Sequence, residues 1–329
     1  MKNRFIYKES VMLGGLAQAV QIKGTDPDNP LLLMIHGGPG CAETGISASY
    51  QGPWEERYTV VNWDQRYVGA TALLSGSAPE GDFSLDDIVE DAHELCLWLL
   101  KRFGKKKMLV LGHSWGSIVG SQLTYRYPEL FYGFIGWGQV VNMVKNEQVS
   151  VAHTREVAAA RGDAETLKAL DSLEPYPDLQ DTDEEILRKI GASTVIKYAY
   201  GYGSVRFLNI EAFVEHLTGL AKANPDYPDE AIPDMENDAA YLKVMARDVF
   251  HFDLLERSPV YQIPVLFVFG DNDWQTPFSI AKEYLDQIKA PYKSFHLIKN
   301  SGHSTTLDNP DDFADFLIHT AYSACIESR

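Results

Sequence analysis

Short segments built almost entirely of apolar residues restrict the fold of this chain more than any other feature. They stand at Leu31 to Ile35, Tyr58 to Trp63, Met108 to Leu111, Phe131 to Trp137 and Ile263 to Gly270. A strand with one face in water alternates apolar and polar residues, whereas a strand covered on both faces is apolar throughout. The pattern therefore predicts a mostly parallel sheet with other elements packed against both faces.

Helical segments separate these strands. Ser84 opens the first with a capping-box pattern, and the apolar residues from Leu85 to Leu99 fall on one helical face. Strands that alternate with helices are typical of a doubly wound α/β fold. Further helices are expected from Gly116 to Pro128, Ile280 to Ile288 and Pro310 to Ala321, with a last strand around Tyr292 to Leu297.

The strand pattern is interrupted between residues 141 and 250. This segment shows helical periodicity, has no apolar run typical of a buried strand, and carries 20 of the 46 acidic residues. We predict a core formed by residues 1–140 and 251–329, with residues 141–250 inserted as a helical cap above the sheet.

The charge balance excludes several classes of partner. The 329 residues include 46 acidic and 29 basic side chains, which give a net charge of −17. Phosphate backbones and anionic membrane surfaces repel such a chain, so neither nucleic acid nor membrane is an expected partner. The chain has no apolar stretch near the ~20 residues of a membrane span. It also has no signal-peptide pattern, so we expect a cytoplasmic protein.

Metal and cofactor sites are not indicated. Cys41, Cys96 and Cys325 are too few and too scattered for a disulfide framework or a cysteine-rich zinc site. The chain also lacks the His-Glu-X-X-His pattern of zinc peptidases. We expect neither a metal nor a cofactor.

Gly112 to Gly116 reads Gly-His-Ser-Trp-Gly, directly after a predicted strand and before a predicted helix. Gly-X-Ser-X-Gly in this position is the nucleophile-elbow pattern, in which the serine occupies a sharp turn and the glycines leave room for it. The helix then directs its N-terminal N–H groups at developing negative charge. Ser114 is the predicted nucleophile. His113 is a poor candidate for its base, because adjacent side chains diverge on a tight turn, and is expected to support that turn.

A nucleophilic serine needs a histidine as base and a carboxylate that orients the histidine. In elbow enzymes the acid and then the histidine follow the serine along the chain, on loops after later strands. Asp273 follows the strand ending at Gly270, and His303 follows the next strand. Asp271 competes with Asp273, which is favoured because it lies two residues farther beyond the strand end.

The segment His36 to Gly40 reads His-Gly-Gly-Pro-Gly and follows the first apolar strand. Its glycines let the backbone approach a ligand closely. In elbow enzymes this loop supplies one N–H of the oxyanion hole, and the residue after the serine supplies the other. We assign these donors to Gly38 and Trp115. A phosphate-binding loop is the alternative, but the Lys-Ser or Lys-Thr pair of a P-loop does not follow.

Together these motifs resemble those of the proline iminopeptidase (prolyl aminopeptidase) family of α/β-hydrolases. The family signatures match His36 to Gly40, Gly112 to Ser117, and Asp64 to Arg66, and its acid and base positions match Asp273 and His303. The resemblance covers about residues 1–140 and 255–329. It implies an α/β-hydrolase fold with an inserted cap, and release of N-terminal proline or another small residue from peptides.

The chain departs from that family at two places. Tyr67 stands where the family has glycine after Arg66. In the cap, many bacterial members carry a glutamate that helps hold the amino group of the substrate, whereas the corresponding segment, Tyr198 to Phe207, has no carboxylate. Because an unpaired ammonium is costly to bury, an aminopeptidase needs another acid here. The candidates are Glu43, Glu211, Glu215 and Glu236.

Other residues are candidates for contact with a substrate by their position alone. Gly37 belongs to the oxyanion loop, and Trp137 and Gln139 end a strand below the cap, although ordinary packing explains them equally well. Tyr202 lies in an aromatic cap segment that suits either a substrate pocket or the core of the cap. Cys41 directly follows the oxyanion loop, so bulky thiol reagents are expected to inhibit by obstruction.

Three hypotheses about function follow. The first is a serine hydrolase of aminopeptidase type that acts through an acyl-enzyme. The second is an amidase or esterase for an uncharged small molecule, which the missing cap carboxylate favours. The third is a catalytically silent binding protein on the same fold. The expected partner is a small-molecule or short-peptide substrate, and the sequence does not specify an oligomeric state.

Overall fold

The computed structural model describes residues 4–75, 83–235, 241 and 243–327. Within these ranges eight strands form one sheet in the order β1-β2-β4-β3-β5-β6-β7-β8. The strands are β1 (Phe5–Leu13), β2 (Leu16–Gly24), β3 (Leu31–Ile35), β4 (Thr59–Trp63), β5 (Met108–His113), β6 (Phe131–Trp137), β7 (Val265–Gly270) and β8 (Lys293–Ile298). From β4 to β8 all neighbours are parallel, which confirms the predicted mostly parallel sheet.

The antiparallel hairpin of β1 and β2 was not predicted from the sequence. β2 pairs antiparallel with both β1 and β4. The turn is formed by Gly14 and Gly15, both at positive φ (52° and 77°), a conformation that glycine adopts without steric cost. β1 lies at the sheet edge and mixes exposed and buried residues. β1 therefore lacks the continuous apolar run from which the strands covered on both faces were predicted.

The helices include the predicted ones and several more. The capping box at Ser84 is formed as expected: its side chain accepts from Asp87 N, and the Asp87 side chain accepts from Ser84 N. The helices are α1 (Gly69–Ser75), α2 (Leu85–Phe103), α3 (Trp115–Arg126), α4 (Met143–Arg161), α5 (Ala164–Asp171), α6 (Asp183–Tyr198), α7 (Ile210–Lys222), α8 (Leu254–Arg257), α9 (Phe278–Gln287), α10 (Thr305–Asp308) and α11 (Pro310–Asp315). Wider turns at Phe316–Ala321 and Ser323–Glu327 continue the last helix.

Alternate residues of the central strands enter two apolar cores, one on each side of the sheet. In β3, Leu31, Leu33 and Ile35 join a core completed by α2, α3 and α9. Leu32 and Met34 join a second core, completed by α11 and Phe316–Ala321. Burial on both faces is the physical reason why these strands are apolar throughout.

Helices α4 to α7 connect β6 to β7 and lie over loops at the carboxyl ends of the strands. Three hydrogen bonds fix this placement: Asn224 Nδ2 to Gly45 O (2.8 Å), Ser150 Oγ to Trp274 O (2.5 Å), and Ser204 Oγ to Asp308 Oδ1 (2.6 Å). The chain enters and leaves this segment at one place, where Asn142 pairs with Asp253. The division into a core and a cap of residues 141–250 stays a prediction that this arrangement supports.

Within the described ranges, no helix combines the length and the apolar character that crossing a membrane requires.

Candidate active site

Ser114 lies at the junction of β5 and α3, in a backbone conformation that L-residues rarely adopt (φ 52°, ψ −117°). Its N–H donates to Trp137 O at 2.8 Å. The two flanking glycines are required by packing: a Cβ on Gly112 would lie 2.3 Å from Gly116 O, and one on Gly116 would lie 2.1 Å from Ile35 O. The local sequence thus allows the sharp turn that presents the serine.

His303 and Asp273 meet near this turn. His303 Nδ1 lies 2.8 Å from Asp273 Oδ2, and both side chains are buried. The carboxylate also accepts from Gln275 N (3.0 Å), Thr276 N (2.8 Å) and Thr276 Oγ1 (2.9 Å). Asp271 bonds instead to Asn272 Nδ2 and Ser301 N. The structure therefore brings Asp273, and not its competitor, to the histidine.

The second ring nitrogen of His303 is left free. Among the described residues His303 Nε2 is buried and has no hydrogen-bond partner. Because Nδ1 is engaged by the carboxylate, the proton of a neutral ring belongs on Nδ1 and the lone pair on Nε2. His303 and Ser114 both line one cavity of about 850 Å³. This arrangement is suited to the removal of a proton from a group bound there.

The cavity lies between the sheet and the cap. Of the described residues that line it, Glu43, Lys222 and Asp229 carry full charges, and the last two are exposed at its rim. Its upper wall is mostly apolar and comes from α6 and α7. These helices contribute Leu187, Ile190, Val195, Tyr198, Ile210, Phe213, Val214 and Leu217.

Gly38 and Trp115, the predicted oxyanion donors, line the same cavity as Ser114. Gly38 has a φ of 114°, and a Cβ there would come within 2.6 Å of Gly40 N and 2.7 Å of Cys41 N. Only glycine fits this backbone. Trp115 is the first residue of α3, so its N–H belongs to a helix N-terminus, which favours nearby negative charge.

A network that sequence reasoning missed holds the oxyanion loop. Gln65 Nε2 donates to His36 O at 3.3 Å, and its Oε1 accepts from Trp115 Nε1 at 2.9 Å. The neighbouring Asp64 accepts from Ala70 N (2.8 Å) and Tyr227 Oη (2.9 Å) and is also bonded by the Thr44 hydroxyl. The sequence feature that points to this network is the Asp64 to Arg66 motif, which matches the family but was assigned no role.

Of the candidate carboxylates that the structure describes, Glu43 is buried and lines the cavity. Its Oε1 accepts from Gly37 N at 3.0 Å and lies 2.5 Å from His113 Nδ1. Burial alone would raise the pKa of Glu43, but the charge and hydrogen bond of His113 and the N–H of Gly37 bring it below its ordinary value. The carboxylate is therefore ionised at neutral pH.

Three further candidates, Trp137, Tyr202 and Gly37, also line the cavity. Trp137 stacks on His113 with ring centroids 3.6 Å apart. Tyr202 lies under Lys197, whose Nζ is 4.3 Å from the ring centroid. Cys41 is half-buried at the wall. Gly37 lines it as well, with its N–H directed at Glu43.

Three candidate positions need correction. Glu211 and Glu215 are exposed on α7 and do not line the cavity, because the residues of α7 that do, such as Phe213 and Leu217, occupy the opposite face of the helix. Gln139 lies beneath the cavity wall, where its Nε2 donates to Val140 O at 2.8 Å. Glu236 falls outside the described residues.

Within the described part of the chain, no group of three or more histidine, cysteine, aspartate or glutamate side chains is arranged to hold a metal ion.

Comparisons with known proteins identify the family and the fold. Residues 32–316 match the sequence model described as "Alpha/beta hydrolase family". Over 317 residues the chain is 29% identical to "Probable aminopeptidase YbaC" of Bacillus subtilis (strain 168), covering 96% of each protein.

Two solved structures share the fold. The proline iminopeptidase-related protein TTHA1809 from Thermus thermophilus superposes with a TM-score of 0.70 at 18% identity, covering 99% of this chain and 100% of that one. Proline iminopeptidase of Mycobacterium smegmatis gives a TM-score of 0.67 at 21% identity, covering 98% and 100%. At these identities the likeness concerns the fold alone.

Proposed function

Because the chain belongs to the α/β-hydrolase family, we propose that this hydrolase is a serine hydrolase in which Ser114, His303 and Asp273 form the catalytic triad. One observation carries the proposal: His303 Nδ1 is bonded to Asp273 at 2.8 Å, while its free Nε2 and the strained Ser114 belong to one cavity. In a serine hydrolase, the histidine takes the serine hydroxyl proton through Nε2 while a carboxylate holds Nδ1.

The reaction proceeds in two halves. Ser114 Oγ attacks the carbonyl carbon of an ester or amide while His303 Nε2 takes the hydroxyl proton. Collapse of the tetrahedral intermediate breaks the bond to the leaving group, which receives that proton from His303. Water then attacks the acyl-enzyme, again with His303 as base, and releases the acid and free Ser114. Asp273 orients the imidazole and stabilises its charged form.

The oxyanion is held by the N–H groups of Gly38 and Trp115. Both groups are preorganised, one by a loop that requires glycine and the other by the first turn of α3. Donors already in place need no rearrangement as charge develops on the substrate oxygen, and each is worth about 3–4 kcal/mol in the transition state.

Release of an N-terminal residue from a peptide is our first candidate activity. The motifs at His36 to Gly40 and at Gly112 to Ser117 support it, as does the relative named a probable aminopeptidase. Glu43 also offers an ionised carboxylate inside the cavity, which an ammonium group could approach.

Hydrolysis of an uncharged ester or amide is the second candidate, and the cavity wall favours it. The described wall from α6 and α7 is mostly apolar. A volume of about 850 Å³ is far more than one proline residue fills. Cavities of this size usually bury most of a drug-sized ligand. An apolar acyl group would bury its surface there at about 25 cal/mol per Å².

A paired kinetic assay separates these candidates. Proline β-naphthylamide, its N-acetylated form and p-nitrophenyl butyrate are compared on wild type, Ser114→Ala, and Ser172→Ala as an exposed serine control. A strong preference for the free amine supports the aminopeptidase. Turnover of the acetylated amide or the ester alone supports the neutral-substrate hydrolase. Full activity of Ser114→Ala would refute the serine mechanism.

A further inference from the structure

One carboxylate oxygen joins the two segments that carry the proposed oxyanion donors. Glu43 Oε1 accepts from the N–H of Gly37, the residue before Gly38. The same oxygen is 2.5 Å from Nδ1 of His113, which lies two residues before Trp115. From these contacts we infer that Glu43 is a positioning residue, which holds the oxyanion loop and the nucleophile turn at a fixed separation.

Gly37, Glu43 and His113 are closely packed against one another. A Cβ on Gly37 would lie 3.3 Å from both Glu43 Oε1 and His113 Nδ1, and 3.4 Å from Ser114 Cβ. The two 3.3 Å distances are tighter than nine in ten Cβ contacts, so a side chain at residue 37 would require Glu43 or His113 to shift by a few tenths of an ångström. Glu43 is also nearly fully buried, which leaves it little freedom to exchange these partners for water.

His113 is fixed on its other side as well. Its ring stacks on Trp137 with an interplanar angle of 17°, and Trp137 Nε1 donates to Thr305 Oγ1 at 3.3 Å. Because the ionised Glu43 can only accept, the proton between the two groups belongs to His113 Nδ1. These contacts therefore connect the oxyanion loop, through Glu43 and His113, to Trp137 at the end of β6.

The consequence for the reaction concerns the transition state more than substrate binding. Oxyanion donors act only when they lie about 2.7–3.1 Å from the position of the developing charge. A loop that moves relative to the turn separates the N–H groups of Gly38 and Trp115 and weakens stabilisation of that charge. The inference rests on the proposed serine hydrolase function and holds for any substrate, with or without an amine.

The test compares Glu43→Gln and Glu43→Ala with Glu283→Gln, an exposed charge removal on α9. Proline β-naphthylamide, its N-acetylated form and p-nitrophenyl butyrate serve as substrates, and thermal unfolding confirms that each variant is folded. We expect kcat to fall about 10²–10³-fold in Glu43→Ala, as when an oxyanion donor is lost. The fall should be similar on every substrate that wild type turns over, with KM changed less than about threefold. Glu43→Gln keeps an acceptor and should regain part of kcat, and Glu283→Gln should match wild type.

Other outcomes have distinct meanings. A raised KM confined to the free amine, with kcat unchanged on the ester, would overturn the inference and make Glu43 an ammonium site. Unchanged kinetics in folded Glu43→Ala would also overturn it, while leaving the serine hydrolase intact. If wild type neither hydrolyses the ester nor labels Ser114 with a fluorophosphonate, the proposed function fails, and this inference fails with it.

Discussion

His36 Nε2 accepts the backbone N–H of Gln65 at 3.1 Å. On the other side of the ring, His36 Nδ1 donates to Gly37 O at 2.9 Å. One nitrogen must therefore carry a proton and the other a lone pair, so the buried ring is neutral. The histidine of the His-Gly-Gly-Pro-Gly motif thus joins the oxyanion loop to the Asp64 to Arg66 segment.

This pair predicts a pH dependence of stability. Burial holds the pKa of His36 below its ordinary value of 6.5. A group with a lowered folded pKa contributes its stability fully above the unfolded pKa and loses it as pH falls. We expect the free energy of unfolding to decrease below about pH 6.5, by at most ~1.4 kcal/mol per pH unit for this proton. Urea midpoints from pH 8 to pH 5 measure it. An identical pH dependence in a folded His36→Gln variant would contradict the assignment.

Asp273→Asn should keep the fold and lose catalysis. The amide can present an N–H to His303 Nδ1, which favours the wrong tautomer and places the proton on Nε2, where the base is needed. We expect kcat on p-nitrophenyl butyrate to fall about 10⁴-fold. Asp271→Asn is the matched control, because Asp271 bonds to Asn272 and Ser301. Equal losses in both variants would argue against Asp273 as the orienting acid.

Bulky thiol reagents should inhibit through Cys41. This residue is half-buried at the cavity wall, whereas Cys96 and Cys325 are fully buried. Burial raises the pKa of the Cys96 thiol, which makes it still less reactive. We expect N-ethylmaleimide to slow ester hydrolysis, with one adduct seen by mass spectrometry, and Cys41→Ser to be resistant. Full activity of protein modified completely at Cys41 would contradict obstruction.

Two glycine-to-alanine substitutions should shift stability in opposite directions. In Gly116→Ala the new methyl group would lie 2.1 Å from Ile35 O, so we expect a loss of about 1–3 kcal/mol or more. Gly219 lies in α7, and no atom of the described residues comes within 4 Å of an added Cβ, so Gly219→Ala should gain about 1 kcal/mol through helix propensity. Thermal unfolding of the two variants gives the comparison. A Gly116→Ala protein as stable as wild type would show that the turn can relax.

A buried ion pair should make the cap sensitive to substitution. Lys197 Nζ lies 2.6 Å from Glu147 Oε2, with both side chains fully buried, and Tyr176 Oη donates to the same carboxylate at 2.6 Å. Lys197→Met would leave the buried carboxylate without its counter-ion, at a cost of about 3–5 kcal/mol. Lys168→Met, at an exposed site on α5, is the control. Urea unfolding measures the difference, and a loss below about 1 kcal/mol would show that water reaches Glu147.

Much of the fold followed from local patterns. The apolar runs at β3, β5 and β7 predicted strands covered on both faces, and the capping box at Ser84 predicted the start of α2. The hairpin of β1 and β2 did not follow, because neither strand has a continuous apolar run: β1 is a partly exposed edge strand, and β2 carries Gln18, Gln21 and Lys23 among its apolar residues. A continuous apolar run marked the strands that are covered on both faces.

In the candidate site, short motifs identified some residues, whereas the roles of others depended on tertiary packing. Steric contacts with nearby backbone atoms require glycine at positions 38, 112 and 116. A short sequence motif was therefore enough to identify these positions. The roles of Glu43, Glu211 and Glu215 depended on which side of a helix or loop meets the cavity. The spacing of residues in the sequence does not show which side of an irregular loop, or of a helix whose packing is unknown, meets the cavity.

By itself, the sequence determined the doubly wound sheet, the strained turn at Ser114 and the glycine loop at Gly38, because burial and backbone sterics act on neighbouring residues. Only the tertiary structure decided that Asp273 rather than Asp271 meets His303, that Glu43 lies against Gly37 and His113, and that Glu211 and Glu215 face away from the cavity. Most of these contacts join segments far apart in the chain. Their geometry is set by how strands, loops and cap pack together, which no local pattern specifies.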